Sequence, residues 1–211
     1  MSFLSRIFGG TNPVTQASLV GWADRKMNEL EGVNDITPER MFIGFMYSLV
    51  SYAREDGASR QPESPEYRDM KSNAALFELG CYVFFRVDMW LFLNRREHRA
   101  RISGTFVREF KRLFAEVLVE PNIEQIFQHR TTRYGELARE HADVEQFHEY
   151  LTQAMLHTTK NKKPELFDQN SVTMGASYGD EVMLKMRIAM WEQHLMPSII
   201  DSMEQAVSML K

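Results

Sequence analysis

Residues 76–93 read LFELGCYVFFRVDMWLFL, and this stretch decides the fold. It is almost long enough to cross a bilayer, because a membrane-spanning helix needs about 20 apolar residues. It nevertheless contains Glu78, Arg86 and Asp88. Each charge near the centre of an inserted helix costs roughly 2.5–3.5 kcal/mol, which outweighs the gain from the leucine and phenylalanine side chains. The stretch is therefore predicted to be the central buried helix of a water-soluble bundle, and no transmembrane segment is expected.

On both sides of this stretch the apolar residues recur at helical spacing, and the alternation typical of strands is almost absent. Thr37 and Pro38 predict a helix start, because threonine caps a helix and proline suits its first position. Ser-Gly-Thr at 103–105 and Glu-Pro at 120–121 predict breaks between helices. We expect an all-α fold, an irregular antiparallel bundle of about six helices, several of them long.

The predicted organisation is a single helical domain at 14–211, preceded by a flexible N-terminal segment at 1–13. Within the domain, the polar stretch 158–179 contains Pro164 and Gly175 and predicts a long loop that is either functional or mobile. The helices are predicted at about 14–31, 37–57 and 67–99, in two further stretches after residues 105 and 121, and at 180–210.

Composition narrows the classes of function. A net charge of −4 argues against a general nucleic-acid binder. Cys81 is the only cysteine, which excludes an intramolecular disulfide and a CxxC metal knuckle. A lone thiol suits a reducing compartment, so we expect a cytoplasmic protein.

A basic cluster occupies residues 94–112 and could contact the phosphates of nucleic acid or lipid. The same residues suit the cation-favouring end of a helix and ordinary surface ion pairs, so nucleic acid is not expected as a partner. Seven basic residues oppose Glu97 and Glu109 here: Arg95, Arg96, Arg99, Arg101, Arg108, Lys111 and Arg112.

Residues 3–8 contain Phe3, Leu4, Ile7 and Phe8 beside one arginine and could form a short amphipathic turn. Such a turn would make weak peripheral contact with a membrane surface or a partner. Packing against the protein's own surface, or disorder, is the alternative.

His141, Glu145 and His148 form the pattern most suggestive of chemistry. In a continuous helix these positions share one face, so the three side chains could converge on a divalent metal ion. Glu145 and His148 also match the Glu-x-x-His element of ferritin-like di-metal bundles, but the sequence has no second copy. Two alternatives stay open: the histidines belong to the apolar stripe of the core, or Asp143 caps a new helix and breaks the alignment. We therefore expect no cofactor, and the alternative expectation is a divalent metal ion.

Glu78, Tyr82 and Arg86 lie four residues apart in the central helix, where a charge must be paired or face a cavity. One interpretation is a ligand pocket in the bundle core, in which Arg86 binds an anion or a small molecule. The other, which we favour, is an internal ion-pair network that joins this helix to its neighbours. Cys81 beside them is expected to be a small buried hydrophobe rather than a nucleophile.

The last helix is rich in methionine, and its apolar residues recur in steps of three and four, a heptad-like seam. A second apolar face runs from Leu184 to Ile199, and a helix with two apolar faces needs cover on both, from its own bundle or from another subunit. Pro197 is expected to kink the helix. The residues predicted to bind a protein partner or a second copy are Met186, Met196, Ile200, Met203 and Val207.

No dinucleotide- or phosphate-binding glycine loop, serine-hydrolase elbow or His-Glu-x-x-His motif occurs in the sequence. We therefore expect a non-enzymatic interaction or accessory protein that binds a protein partner, or itself as a homodimer, through the methionine-rich last helix. The first alternative is a metal-binding protein or metal-dependent enzyme centred on His141, Glu145 and His148. The second is a binder of small molecules or anions that uses Arg86.

Overall fold

The computed structural model describes residues 19–33, 35–58, 73–161, 163–167 and 178–210. Within these residues all regular structure is helical, which confirms the all-α prediction. The seven helices described are α1 Leu19–Glu29, α2 Pro38–Ala58, α3 Asn73–Asn94, α4 Arg96–Leu118, α5 Ile123–Arg139, α6 Val144–Asn161 and α7 Tyr178–Ser208. The N-terminal segment 1–13 and half of the predicted loop, residues 162 and 168–177, lie outside the described residues.

Helix α3 is the centre of the bundle, as the sequence predicts. The side chains from Ala74 to Phe84 are all buried, and α3 contacts α2, α4, α5, α6 and α7. Apolar residues occur on every side of this helix and not along one stripe, so the helix is not amphipathic. It therefore has to be covered by several neighbouring helices. No helix in the described parts of the chain is both long enough and apolar enough to span a bilayer.

The chain reverses direction between α3 and α4 earlier than the sequence predicts. The expected helix end near Arg99 is wrong, because α3 ends at Asn94 and only Arg95 separates it from α4. The Asn94 side chain donates a hydrogen bond to the Trp90 carbonyl (3.0 Å), so it satisfies one of the acceptors that a helix end leaves open. The predicted break at 103–105 is also wrong, since these residues lie inside α4.

The interface between α3 and α4 is aromatic. The ring of Phe77 lies 5.7 Å from that of Phe110 and 5.2 Å from that of Phe114, centroid to centroid. Gly80 allows this close approach, because a Cβ atom at that position would lie 2.7 Å from Cε2 of Phe110. The two helices therefore meet at a contact that has no space for a further methyl group.

Helices α5 and α6 flank α3 in opposite directions. Glu78 and Tyr82 on α3 meet Arg130 and Tyr134 on α5 in the same order, so α3 and α5 run parallel. Thr158 on α6 donates a hydrogen bond to Glu78, whereas His148, ten positions earlier on α6, lies beside Tyr82. Helix α6 therefore runs antiparallel to α3. This arrangement brings polar residues of three helices to one side of α3.

Two helix starts follow the expected capping chemistry. The Thr37 hydroxyl accepts a hydrogen bond from the Arg40 amide (3.4 Å), and Pro38 opens α2, as predicted. At α6 the Asp143 carboxylate accepts a bond from the Gln146 amide, and the Gln146 side chain accepts one from the Asp143 amide, both at 3.0 Å. This reciprocal pair is a capping box, and it makes α6 a separate helix.

Candidate functional site

Glu78 and Arg130 form an ion pair that is completely sealed from solvent. Both side chains are 0% exposed. The Arg130 guanidinium donates from Nε to Oε2 of Glu78 (2.7 Å) and from Nη2 to Oε1 (2.9 Å), a bidentate geometry that matches the two planar groups. Burial opposes the charge of Arg130, but Glu78 more than compensates and raises the pKa of Arg130 above its ordinary value. Arg130 therefore keeps its positive charge although it is buried.

Further contacts satisfy this pair. The Thr158 hydroxyl donates to Oε1 of Glu78 (2.7 Å), and Nη2 of Arg130 also donates to the Glu165 carbonyl (2.8 Å). The ring of Phe167 lies under the guanidinium, 4.5 Å from its central carbon. Two helices, α3 and α5, thus meet α6 and the segment 163–167 at one ion pair, whose side chains have no contact with solvent.

A second polar cluster, which we call the Glu192 cluster, consists of Tyr82, Arg86, His148 and Glu192. The Tyr82 hydroxyl donates to Oε2 of Glu192 (2.6 Å) and accepts from Nη1 of Arg86 (2.8 Å), while Arg86 also pairs with Glu192. Burial raises the pKa of Tyr82 above its ordinary value, so its hydroxyl stays protonated and able to donate. Arg86 and Glu192 retain partial exposure to solvent.

Glu192 has its negative charge stabilised within this cluster. Burial raises its pKa, but His148, Tyr82 and Arg86 together lower it below the ordinary glutamate value. Nε2 of His148 lies 4.0 Å from Oε2 of Glu192, which is beyond hydrogen-bond distance. His148 is therefore the most loosely held member of the cluster.

The structure does not bring Glu78, Tyr82 and Arg86 together as one pocket. Glu78 turns to Arg130, whereas Tyr82 and Arg86 turn to Glu192. The cavity that Tyr82 and Glu192 line together with apolar side chains has no space for a water molecule. This geometry corresponds to the ion-pair interpretation rather than to a ligand pocket around Arg86.

The proposed metal residues His141, Glu145 and His148 do not share a continuous helix. His141 has a φ of 57° and occupies the left-handed position that ends α5, where the Ala142 amide bonds back to the Leu137 carbonyl (3.0 Å). The helical premise is therefore wrong, and the alternative of a cap at Asp143 is correct. His141 and Glu145 are exposed, whereas His148 points to the Glu192 cluster. Among the described residues no group of three potential ligands is placed to hold a metal ion.

Cys81 is fully buried in α3, as expected for a small hydrophobe. Burial raises the pKa of its thiol well above the ordinary value, and the nearby Glu78 adds to this effect. A thiol that stays protonated is a poor nucleophile.

Acidic residues of several helices pair with much of the basic cluster at 94–112. Asp88 accepts two hydrogen bonds from Arg99, and Glu204 pairs with Arg95. Further ion pairs join Arg108 to Glu39 and Glu109, Arg112 to Glu109, and Lys111 to Glu124. The guanidinium of Arg96 lies over the ring of Phe92, at 4.4 Å. These contacts agree with the interpretation of the cluster as surface ion pairs.

The partner residues predicted on α7 fall on two different faces. Met196, Met203 and Val207 are buried within the chain itself, Ile200 is half-buried, and Met186 is 58% exposed. The buried face therefore does not follow the predicted heptad seam along the whole helix. From Leu184 to Ile199 the core residues of α7 are those of the second face: Leu184, Ile188, Trp191, Leu195 and Ile199.

The buried face of α7 changes because the helix changes neighbours. Its N-terminal half lies against α6, where Lys185 pairs with Glu149, and its C-terminal half lies against α2. A straight α-helix drifts by about 20° per heptad relative to a strict seven-residue repeat, so one seam does not stay buried over 31 residues. The helix continues through Pro197. As a result, the N-terminal half carries exposed apolar residues: Val182, Met183, Met186 and Met190.

Sequence reasoning missed Arg130, the most deeply buried basic residue described. In the sequence it stands in a polar stretch beside His129 and two threonines, and no local signal distinguishes it from the other arginines. Its spacing offered one hint, since Phe127, Arg130 and Tyr134 recur at helical intervals and all three face the core.

Comparison with known proteins gives no family assignment. No protein-family model matches the chain, and neither the curated proteins nor the solved structures include a match.

Proposed function

We propose that the chain is a non-enzymatic interaction protein that pairs with a second copy of itself through the exposed apolar stripe on α7. The stripe consists of Val182, Met183, Met186 and Met190, in little more than two helical turns. The observation that carries the proposal is that three large thioether side chains are each about half exposed on a helix whose opposite face is already buried. Contiguous apolar surface of this kind is typical of association sites.

Methionine suits such a surface because its side chain is flexible and adapts to the shape of its partner. Two copies related by a two-fold axis would place identical stripes against each other, which is the commonest form of association between identical chains. The neighbouring Lys185 is already paired with Glu149 and Glu181, so the approach of a second copy leaves no new unpaired charge at that position.

The stripe is smaller than the surface that a permanent dimer buries, because standard interfaces involve about 20–30 residues on each side. The proposed association is therefore concentration-dependent rather than obligate. As part of the same proposal the protein works in the cytoplasm, where a lone thiol such as Cys81 stays reduced.

The test is sedimentation-velocity centrifugation over a wide range of protein concentrations. The wild type is expected to shift from monomer towards dimer as its concentration rises. Met186→Glu places a charge at the centre of the stripe and should keep the protein monomeric. Met209→Glu is the matched control, since Met209 is equally exposed but lies beyond the end of α7, so it should dimerise as the wild type does.

Circular dichroism of both variants establishes that the helices are retained. A wild type that remains monomeric at the highest attainable concentration would refute the dimer. Equal dimerisation of Met186→Glu and the wild type would refute the stripe as its interface. Native mass spectrometry of the same samples reports the subunit number independently, together with any bound metal ion.

A further inference from the structure

A second feature of α7 lies at its other end, where its C-terminal half packs against α2 and shares a cavity with α1. These three helices enclose an open cavity of about 220 Å³. Its walls are mostly apolar, with Met27 from α1, Leu30 just after α1, Met41 and Phe45 from α2, and Ile199 and Met203 from α7. For scale, an engineered apolar cavity of about 150 Å³ in another protein takes up benzene. The cavity is therefore large enough for a molecule somewhat larger than benzene.

One positive charge lies at the wall of this cavity. Arg40 and Asp35 are both part of the lining. Nη1 of Arg40 donates to the Asp35 carbonyl and lies 3.4 Å from Oδ2 of the Asp35 carboxylate. The Asp35 side chain is 77% exposed, so its carboxylate is weakly held and can turn out into water at little cost. A guanidinium whose partner is easily displaced can donate two hydrogen bonds to the carboxylate of a ligand, in a bidentate contact.

A glycine in the wall of the cavity helps to keep it open. Gly44 lies inside α2 and lines the cavity, and a Cβ atom at this position would meet nothing within 4 Å. Glycine inside a helix is about 1 kcal/mol less favourable than alanine. Any larger side chain at position 44 would favour the helix but would project into the empty space.

We propose that this cavity binds a small carboxylate with an aromatic or branched aliphatic body. The apolar body of the ligand lies between α1, α2 and α7. The carboxylate of the ligand takes the place of the Asp35 side-chain carboxylate beside Arg40. A pocket with mostly apolar walls and one orienting charge is the usual form of a small-molecule site. The site is separate from the stripe of the proposed dimer, so either proposal can fail without the other.

The test uses three probes with the same phenylpropyl body: 3-phenylpropionate, 3-phenylpropan-1-ol and 3-phenylpropylamine. Chemical-shift titration of the full-length protein reports saturable binding and the residues affected. The carboxylate is expected to bind most tightly, and the amine most weakly because Arg40 repels it. Arg40→Gln should weaken binding of the carboxylate about tenfold, because a charged hydrogen bond is lost, and should leave the alcohol almost unaffected.

Gly44→Leu is expected to fill the cavity and to abolish binding of all three probes, with a melting temperature equal to or above that of the wild type. Gly104→Leu is the matched control. Gly104 also lies inside a helix, α4, with open space at its Cβ position, but it lies outside the cavity. This control should bind the carboxylate as the wild type does.

Three results would overturn the proposal. The first is the absence of saturable shifts with 3-phenylpropionate in the wild type. The second is equal affinity for the carboxylate and the alcohol, which would remove the role of Arg40. The third is wild-type affinity in a folded Gly44→Leu variant, which would place the ligand elsewhere.

Discussion

Two ion-pair clusters lie two turns apart on the same helix and differ in their access to water. At one, Glu78 and Arg130 are wholly buried and also bond to the Thr158 hydroxyl and the Glu165 carbonyl. At the other, Arg86 and Glu192 are only partly covered. The comparison teaches that the type of residue does not decide what an ion pair does for the fold. What decides it is whether water can replace a lost partner.

The largest expected effect follows from breaking the sealed pair. Glu78→Gln removes the negative charge but keeps the shape of the side chain, so Arg130 remains buried with its charge uncompensated. We expect the free energy of unfolding to fall by about 3–5 kcal/mol, measured by urea denaturation.

The matched control replaces both partners of the sealed pair. Glu78→Leu combined with Arg130→Met removes both charges, so it should recover much of the stability that Glu78→Gln loses. A loss below about 1 kcal/mol in Glu78→Gln, typical of exposed pairs, would contradict the sealed character of the pair.

A smaller effect is expected at the Glu192 cluster. Glu192→Gln leaves Arg86 without its charged partner, but water can reach the guanidinium. The expected loss is about 1–2 kcal/mol, between the values for exposed and buried pairs. Equal losses for Glu192→Gln and Glu78→Gln in the same urea titration would remove the distinction between the two clusters.

The pH dependence of stability sharpens the comparison further. Because the folded state lowers the pKa of Glu192, its ionised form contributes stability above the pKa of an unfolded glutamate, about 4.3. This contribution is lost as the pH falls through the lower, folded pKa. The difference in stability between the wild type and Glu192→Gln should therefore be full at pH 7 and shrink below about pH 4. A difference that is constant from pH 7 to pH 3 would mean that the Glu192 charge contributes nothing.

The smallest effect is expected at Asp88, near the end of α3. Its carboxylate accepts bonds from Arg99 and from the Ser103 hydroxyl, and the Arg99 side chain is 42% exposed. Asp88→Asn should lower the free energy of unfolding by about 0.5–1 kcal/mol, and added salt should reduce the difference. A salt-independent loss above 2 kcal/mol would show that this pair behaves as a buried one.

Local patterns predicted the parts of the fold that local forces determine. The charges within residues 76–93 excluded a membrane span, and Thr37 with Pro38 identified the start of α2, because capping acts over one helical turn. The end of α5 was predictable in principle from Asp143 and Gln146, which form a capping box. The spacing of His141, Glu145 and His148 suggested a continuous helix instead, and the capping chemistry prevailed.

Contacts between distant residues were beyond the reach of sequence patterns. Arg130 lies 52 positions after Glu78, and nothing close to either residue identifies the other. The face that α7 buries also depends on which helix lies beside each half, and a seven-residue repeat carries no information about that change of neighbour. The cavity behind Gly44 depends on how three helices meet, so it could not be predicted either.

The distance along the chain between Glu78 and Arg130 has a consequence for synthesis on the ribosome. A chain grows at about 5–20 residues per second, so Glu78 is made roughly 3–10 s before its partner. During that interval α3 and α4 can approach, but closing their contact with the rest of the core would bury a carboxylate that has no counter-charge. Thr158, which completes the pair, is made later still. The nascent helices are therefore expected to stay incompletely packed until α5 and α6 have been made. A chain truncated before residue 130 should be a substrate for chaperones or proteases and not a stable fragment.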